Sequence, residues 1–295
     1  MPMIVHVIVL DQELSWPAPG AGTSPEGLSM AIYFKQSNWM DVRRCAEADG
    51  VAVIPLGSLE QHGPHLPCGT DTFEVNEFVA RAVAMHDDAL PVCVCPTIEY
   101  SVVSWASPMA SAGVSPFTLQ RIILEVCHAL TDLGFTKIAL VYGHKVAGDA
   151  ALWQAMYEKR SALYVDIDPY ARCGEQLVEI AGVENHGSCM ETSMMLAIAP
   201  ELVDMDKAVD CPEDLWPDRA PFDAIAGRGV YPIPTVEDTP EGHCGTDPRR
   251  ATAEIGNRLL DTLAKCLADV LEPLAGNPTP PQFKRVWRKE VPTEQ

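Results

Sequence analysis

The stretch Gly57–Asp71 places Glu60, His62, His65 and Asp71 among glycines and prolines. Such a stretch suits neither a helix interior nor a paired strand, because proline removes a backbone donor and glycine favours open conformations. Imidazole and carboxylate together suit a borderline divalent ion such as Zn, Mn or Fe(II). Two further segments carry the same residue types. One is His144, directly after the apolar run Lys137–Tyr142, and the other runs from His186 through Glu191. If the three segments meet, Glu60, His62, Asp71, His144 and Glu191 supply two histidines, two carboxylates and a third carboxylate able to bridge. That is the donor set of a two-metal centre, which holds a water and polarises a carbonyl.

Each of these residues also has a plainer use. Asp71 and Glu74 are spaced like a capping box on a following helix, and Ser188 and Glu191 fit the same pattern. His65 can bond its own loop, and His144 can be a turn histidine. A thiol hydrolase using Cys68 beside His65, or Cys189 near His186, needs a lowered thiol pKa and an ordered base, and nothing beyond proximity suggests either. A metal-bound scaffold without activity is a further alternative. The clustering of the whole set favours a metal enzyme.

The elements that must position these residues alternate between strand and helix. Val51–Leu56, Pro91–Ile98, Lys137–Tyr142 and Leu163–Ile167 read as strands. Thr72–Met85, Pro116–Leu133, Ala147–Arg160, Arg172–Ala181, Cys189–Ala199 and Thr252–Leu271 read as helices. Alternation of this kind predicts an α/β fold, a three-layer α/β/α sandwich with a mostly parallel central sheet. Sites in such sheets lie at the carboxyl ends of the strands. Residues 211–250 are rich in proline, glycine and aspartate and read as irregular.

The chain has 295 residues, 47% hydrophobic, with a net charge of −20. That is enough for one large domain, read here as 30–275, between an extension over 1–29 and a tail over 276–295. The charge argues against nucleic acid and anionic membranes as partners. A bound dication can still reverse the local sign for a small anionic substrate. Ten cysteines without C-x-x-C pairs read as reduced thiols, which places the protein in the cytoplasm. Met3–Leu10 is too short to span a membrane and lacks the flanks of a signal peptide. The tail sets Lys284, Arg285, Arg288 and Lys289 around Trp287. It reads as solvated, or as an arm onto another subunit.

The run Pro55–Pro67 (PLGSLEQHGPHLP), with Thr70-Asp71, resembles the signature of the creatininase family. Gly143-His144, His186, Glu191-Thr192-Ser193, Gly245-Thr246-Asp247-Pro248 and Ala251-Thr252-Ala253-Glu254 with Gly256 follow in the family's order. The resemblance spans about residues 38–266. It implies an α/β/α sandwich with two divalent metal ions per subunit (Zn, Mn or Fe) and hydrolysis of a small cyclic amide or similar carbonyl compound. It further implies that Glu60 and His144 bind one ion, His62 and Glu191 the other, and that Asp71 bridges. His186 is then a catalytic proton-transfer residue, and a homo-oligomer, often a hexamer, is expected.

Two segments depart from the family. Its N-G-H-G-G-N run is here Tyr142-Gly143-His144-Lys145-Val146-Ala147, and its E-H and F-P-G-T motifs are missing from Ser101–Gly113. The ligand cradle is kept while the substrate wall is rebuilt, so creatinine is not the expected substrate. Lys145 becomes a candidate catalytic residue that holds a substrate carboxylate or an oxyanion. Trp105 is a candidate cover for a ring. A cyclic amide, a lactone and a cyclic ketone cleaved at carbon–carbon all remain open as substrates.

Overall fold

The computed structural model describes residues 31–86, 90–103, 111–144, 154, 158, 162–182, 184–210 and 242–281. The main sheet contains β1 (Ala31–Tyr33), β2 (Val51–Leu56), β3 (Val92–Val94), β4 (Lys137–Tyr142) and β5 (Leu163–Ile167). Their order is β1-β3-β2-β4-β5, and every pairing is parallel. β2 and β4 pair over their whole length, from Val51 opposite Lys137 to Leu56 opposite Tyr142. Every residue of both strands is buried. This is the continuous apolar pattern of a sheet covered on both faces.

Side-chain alternation divides the core in two. Val51, Val53, Ala139 and Val141 face α2 (Thr70–Ala84), α5 (Gly174–Ala181), α6 (Cys189–Ile198) and α7 (Ala253–Gly276). Ala52, Ile54, Leu56, Ile138 and Leu140 face α1 (Trp39–Glu47) and α3 (Pro116–Asp132). The result is the expected α/β/α sandwich. A short helix, α4 (Pro169–Arg172), precedes α5. A separate antiparallel pair joins β6 (Glu184–His186) to β7 (Cys244–Gly245).

Local chemistry explains the ends of these helices. On α3, Ser115 accepts from Thr118 N and Pro116 occupies the first turn, while Gly134 takes a φ of 105° beyond the last turn. Thr252 caps α7 by accepting from Ile255 N. α7 runs past the expected Leu271 to Gly276 and includes Pro273. The expected helix Arg172–Ala181 divides at Cys173, because Asp168 and Pro169 start a separate turn first. β1 was not anticipated; three residues are too few to show a period. Beyond α7, Lys137 Nζ donates to Asn277 O at 2.6 Å, and Thr279 N donates to Asp49 Oδ2 at 2.6 Å. These bonds tie residues 277–279 to the amino end of the sheet.

Of the helix expected over 147–160, only Gln154 and Glu158 are described; both are helical and bonded to each other at 2.6 Å. Lys145, Trp105, the extension 1–29 and most of the basic tail lie outside the described residues. Among the described residues no helix is long and apolar enough to cross a membrane. Cys45, Cys95 and Cys127 are buried thiols, and burial pushes Cys45 and Cys127 up to about 12.

Gly256 shows how tightly the site-bearing helices meet. A Cβ at this position would lie 1.9 Å from Ser193 O on α6. Alanine in place of glycine normally favours a helix by about 1 kcal/mol. Here the backbone clash dominates, so Gly256→Ala is expected to cost about 1–3 kcal/mol in urea denaturation. A variant as stable as the wild type would contradict this packing.

Candidate metal centre

Adjacent strands β2 and β4 release their loops side by side. The amides of Gly143 and His144 both donate to Leu56 O, at 2.8 and 3.2 Å. Gly143 permits this approach: a Cβ there would lie 2.6 Å from Asp71 O and 2.7 Å from Val75 Cβ. The loop after β2 then places Glu60 and His62 beneath the first turn of α2, which carries Asp71. The third segment arrives differently from the expected strand edge. His186 ends β6 in the small antiparallel pair, and Glu191 lies in the first turn of α6.

Asp71 is not the cap of α2. The residue at that position is Gly69, and no side chain caps there. Both Asp71 oxygens instead face the centre. Oδ1 lies 3.2 Å from His62 Nε2, and Oδ2 lies 3.0 Å from His144 Nδ1 and 2.5 Å from Ser58 Oγ. Glu191 faces the centre and does not complete a capping box, because the amide it accepts from is that of Gly187, one residue before the cap. Ser188 caps α6 through Met190 N, and Glu191 Oε2 accepts from Gly187 N at 2.5 Å, while Oε1 stands 3.6 Å from His62 Nε2. Glu60 Oε2 lies 3.2 Å from His144 Nδ1, yet neither Glu60 oxygen accepts a hydrogen bond.

The imidazoles are oriented by backbone carbonyls. His62 Nδ1 donates to Glu60 O at 2.9 Å, and His144 Nε2 donates to Val102 O at 3.2 Å. Each ring therefore turns its other nitrogen toward carboxylates, as second-shell bonds orient metal-binding histidines. Atoms of Glu60, Asp71 and His144 meet within 4.8 Å, as do atoms of His62, His186 and Glu191. Two ring nitrogens aimed at buried carboxylates need positive charge between them, from protons or from metal, and this donor set fits divalent cations.

The same need shows in the proton affinities. Burial works against charge on His144, but Asp71 and Glu60 push it up to about 9. His62 is raised well above its usual value by Asp71 and Glu191 despite complete burial. Burial alone would raise Asp71, yet His62 and His144 hold it well below the usual carboxylate range. Burial pushes Glu60 up to about 7, with His144 and His62 opposing. Protons here do the work that a cation would do. His186 goes the other way, down to about 4 through burial and the neighbouring His62, and stays neutral. Its Nε2 is 2.6 Å from Gln61 O, so that nitrogen carries the hydrogen, and its ring lies 4.2 Å from that of His62.

A family model described as creatininase, creatinine amidohydrolase, matches residues 35–271. The chain belongs to the creatininase family. It is 26% identical over 277 residues to the creatinine amidohydrolase of Pseudomonas putida, covering 83% of this chain and 97% of that one. It is 31% identical over 231 residues to a mycofactocin precursor peptide peptidase of Mycobacterium ulcerans, covering 72% and 84%. It is 27% identical over 277 residues to the 3-dehydro-scyllo-inosose hydrolase of Thermotoga maritima, covering 85% and 87%. A solved structure of a manganese creatininase superposes with a TM-score of 0.71 at 21% identity, over 84% of this chain and 100% of that one. The relatives of this creatininase-family chain are hydrolases, and its fold is theirs.

Several members of the site were not singled out in the sequence. Ser58 donates to Asp71, and Gln61 accepts from His186 Nε2 through its backbone carbonyl while its Oε1 accepts from Gly63 N at 2.9 Å. Glu74, read only as half of a capping box, is fully buried beside Asp71 and Glu191. Its position one helical turn after Asp71 was the available signal. His65 bonds Thr192 Oγ1 at 2.9 Å. Zinc titrated into metal-free protein, in buffers of differing protonation enthalpy, is expected to release on the order of one proton per ion at pH 7. Affinity is expected to fall as the medium is acidified. Zinc uptake without proton release would contradict the imidazolium–carboxylate arrangement.

Proposed function

We propose that this chain is a divalent-metal-dependent hydrolase that opens a small cyclic amide or lactone by attack of activated water on a ring carbonyl. The observation that supports it most is Asp71 spanning two carbonyl-oriented imidazoles, one carboxylate oxygen toward each. Glu60 and His144 would hold one ion and His62 and Glu191 the other, with Asp71 shared between them. Zn, Mn and Fe suit these donors, and a family member is known with manganese. When bound, the pair supplies a water of lowered pKa and polarises a carbonyl.

The protein's own groups supply the rest. His62 and His144 are held in register by Glu60 O and Val102 O. His186, held by Gln61 O through Nε2, is the group that passes a proton to the leaving atom. Lys145, next to a ligand in the chain, offers a cation to a substrate carboxylate or oxyanion. The catalytic unit is the domain over 30–275. It works as a cytoplasmic homo-oligomer, a hexamer by family resemblance, on a small molecule rather than nucleic acid. A second reading, hydrolytic carbon–carbon cleavage of a cyclic ketone, draws on the relative named as a 3-dehydro-scyllo-inosose hydrolase, whose substrate name denotes a ring polyol with two ketones.

A panel of small lactams, lactones and cyclic ketones, offered with Zn, Mn or Fe(II), is expected to yield one class that turns over. Chelation should abolish that turnover and metal should restore it. Glu60→Gln and Asp71→Asn are each expected to lower kcat/KM by at least about a hundredfold. Unchanged turnover in either variant would sink the proposal. Lys145→Met is expected to lower kcat/KM by about 10²–10³. An unchanged value would remove Lys145 from the site and leave the metal reading standing.

A further inference from the structure

Glu74 is the buried carboxylate for which the two-ion reading has no use. It stands one helical turn beyond Asp71, on the same face of α2. Its side chain is 0% exposed. Tyr170 Oη donates to Oε2 at 2.9 Å, and Oε1 has no hydrogen-bond partner. An unpaired buried carboxylate oxygen is costly unless something positive reaches it. One oxygen each from Asp71, Glu74 and Glu191 lie within 4.8 Å of one another, and no imidazole belongs to that group. Oxygens that ligate one Mg²⁺ or Ca²⁺ at about 2.0–2.6 Å stand up to about 4–5 Å apart. The three carboxylates thus have the spacing of ligands around a single ion. Phe78 stands edge-on to Tyr170 at 6.0 Å, and His62 lies on the far side of Asp71 and Glu191, 3.2 and 3.6 Å from their oxygens.

From this geometry we infer that Asp71, Glu74 and Glu191 form an all-carboxylate position for a hard divalent cation, Mg²⁺ or Mn²⁺, beside the two imidazole-bearing positions. The inference rests on the proposed metal reading, because Asp71 and Glu191 are shared with it. An oxygen-only ligand set selects hard cations over zinc. An ion there joins the first turn of α2 to the first turn of α6. It holds Asp71 and Glu191 at the separation that His62 requires, so its role is to position ligands.

The test is equilibrium dialysis of the zinc-loaded full chain against Mn²⁺. Plasma mass spectrometry counts both metals, and paramagnetic resonance reads bound Mn²⁺. Wild type is expected to take up Mn²⁺ without losing zinc. Glu74→Gln is expected to bind Mn²⁺ at least tenfold more weakly with its zinc content unchanged. Tyr170→Phe, which keeps the carboxylate, is expected to retain Mn²⁺. Equal Mn²⁺ affinity in wild type and Glu74→Gln overturns the inference, and so does Mn²⁺ that only displaces zinc. Should Glu74→Gln fail to fold, anomalous diffraction from wild-type crystals grown with Mn²⁺ decides. A peak within ligand distance of a Glu74 oxygen supports the position, and no peak there overturns it. Protein that binds zinc but no Mn²⁺ at Glu74 defeats this inference alone, whereas protein that binds no zinc defeats the proposed function.

Discussion

One carboxylate, Asp71, is shared between two imidazoles in a place that water hardly reaches. It is 3% exposed, and His62 is 0% exposed. A buried charge of this kind is tolerated only with matching charge and full hydrogen bonding. Most of the local architecture serves that condition. The pairing of β2 with β4 brings two loops to one point, Gly143 removes the Cβ that would keep them apart, and Ser58 supplies a hydrogen bond. α2 and α6 present their first turns to the same point. The positive ends of both helices favour the carboxylates of Asp71 and Glu191.

The core and the site therefore pull in different directions. Two apolar layers, one on each face of a fully buried sheet, supply the stability. The charged cluster at the sheet's carboxyl edge draws on it. Without a cation, protons on His62 and His144 partly balance Asp71, Glu60 and Glu191. With a cation those protons leave, so metal binding and folding become linked. The close α6–α7 crossing at Gly256 matters for the same reason, because it fixes the helix that carries Glu191.

Where the sequence was legible, chemistry and geometry sat in the same few residues. Glycine and proline around Glu60, His62 and Asp71 marked a loop, and the apolar run before it marked a buried strand. Three of the four strand readings, most helices and the meeting of three segments follow from such local signals, whereas the strand read over Pro91–Ile98 is only Val92–Val94. Other features depended on tertiary contacts. Ala31–Tyr33 is a strand only because β3 lies beside it. Asp71 matched a capping pattern, but two imidazoles and Ser58 claim its oxygens instead. Glu191 also matched a capping box, but it accepts from Gly187 rather than from the cap residue Ser188 and faces His62 in the centre. Glu74 could not be separated from an ordinary first-turn acid until Tyr170 and Glu191 appeared around it. His186 arrives through an antiparallel pair whose partner, Cys244, lies far along the chain.

The central claim is that this buried cluster exists to hold divalent ions. Metal content per subunit tests it most directly, by plasma mass spectrometry on protein purified without chelator or a metal-binding tag. The account predicts roughly one to two equivalents of Zn, Mn or Fe in this kind of imidazole–carboxylate site. Less than about a tenth of an equivalent, with none regained on reconstitution, would contradict it.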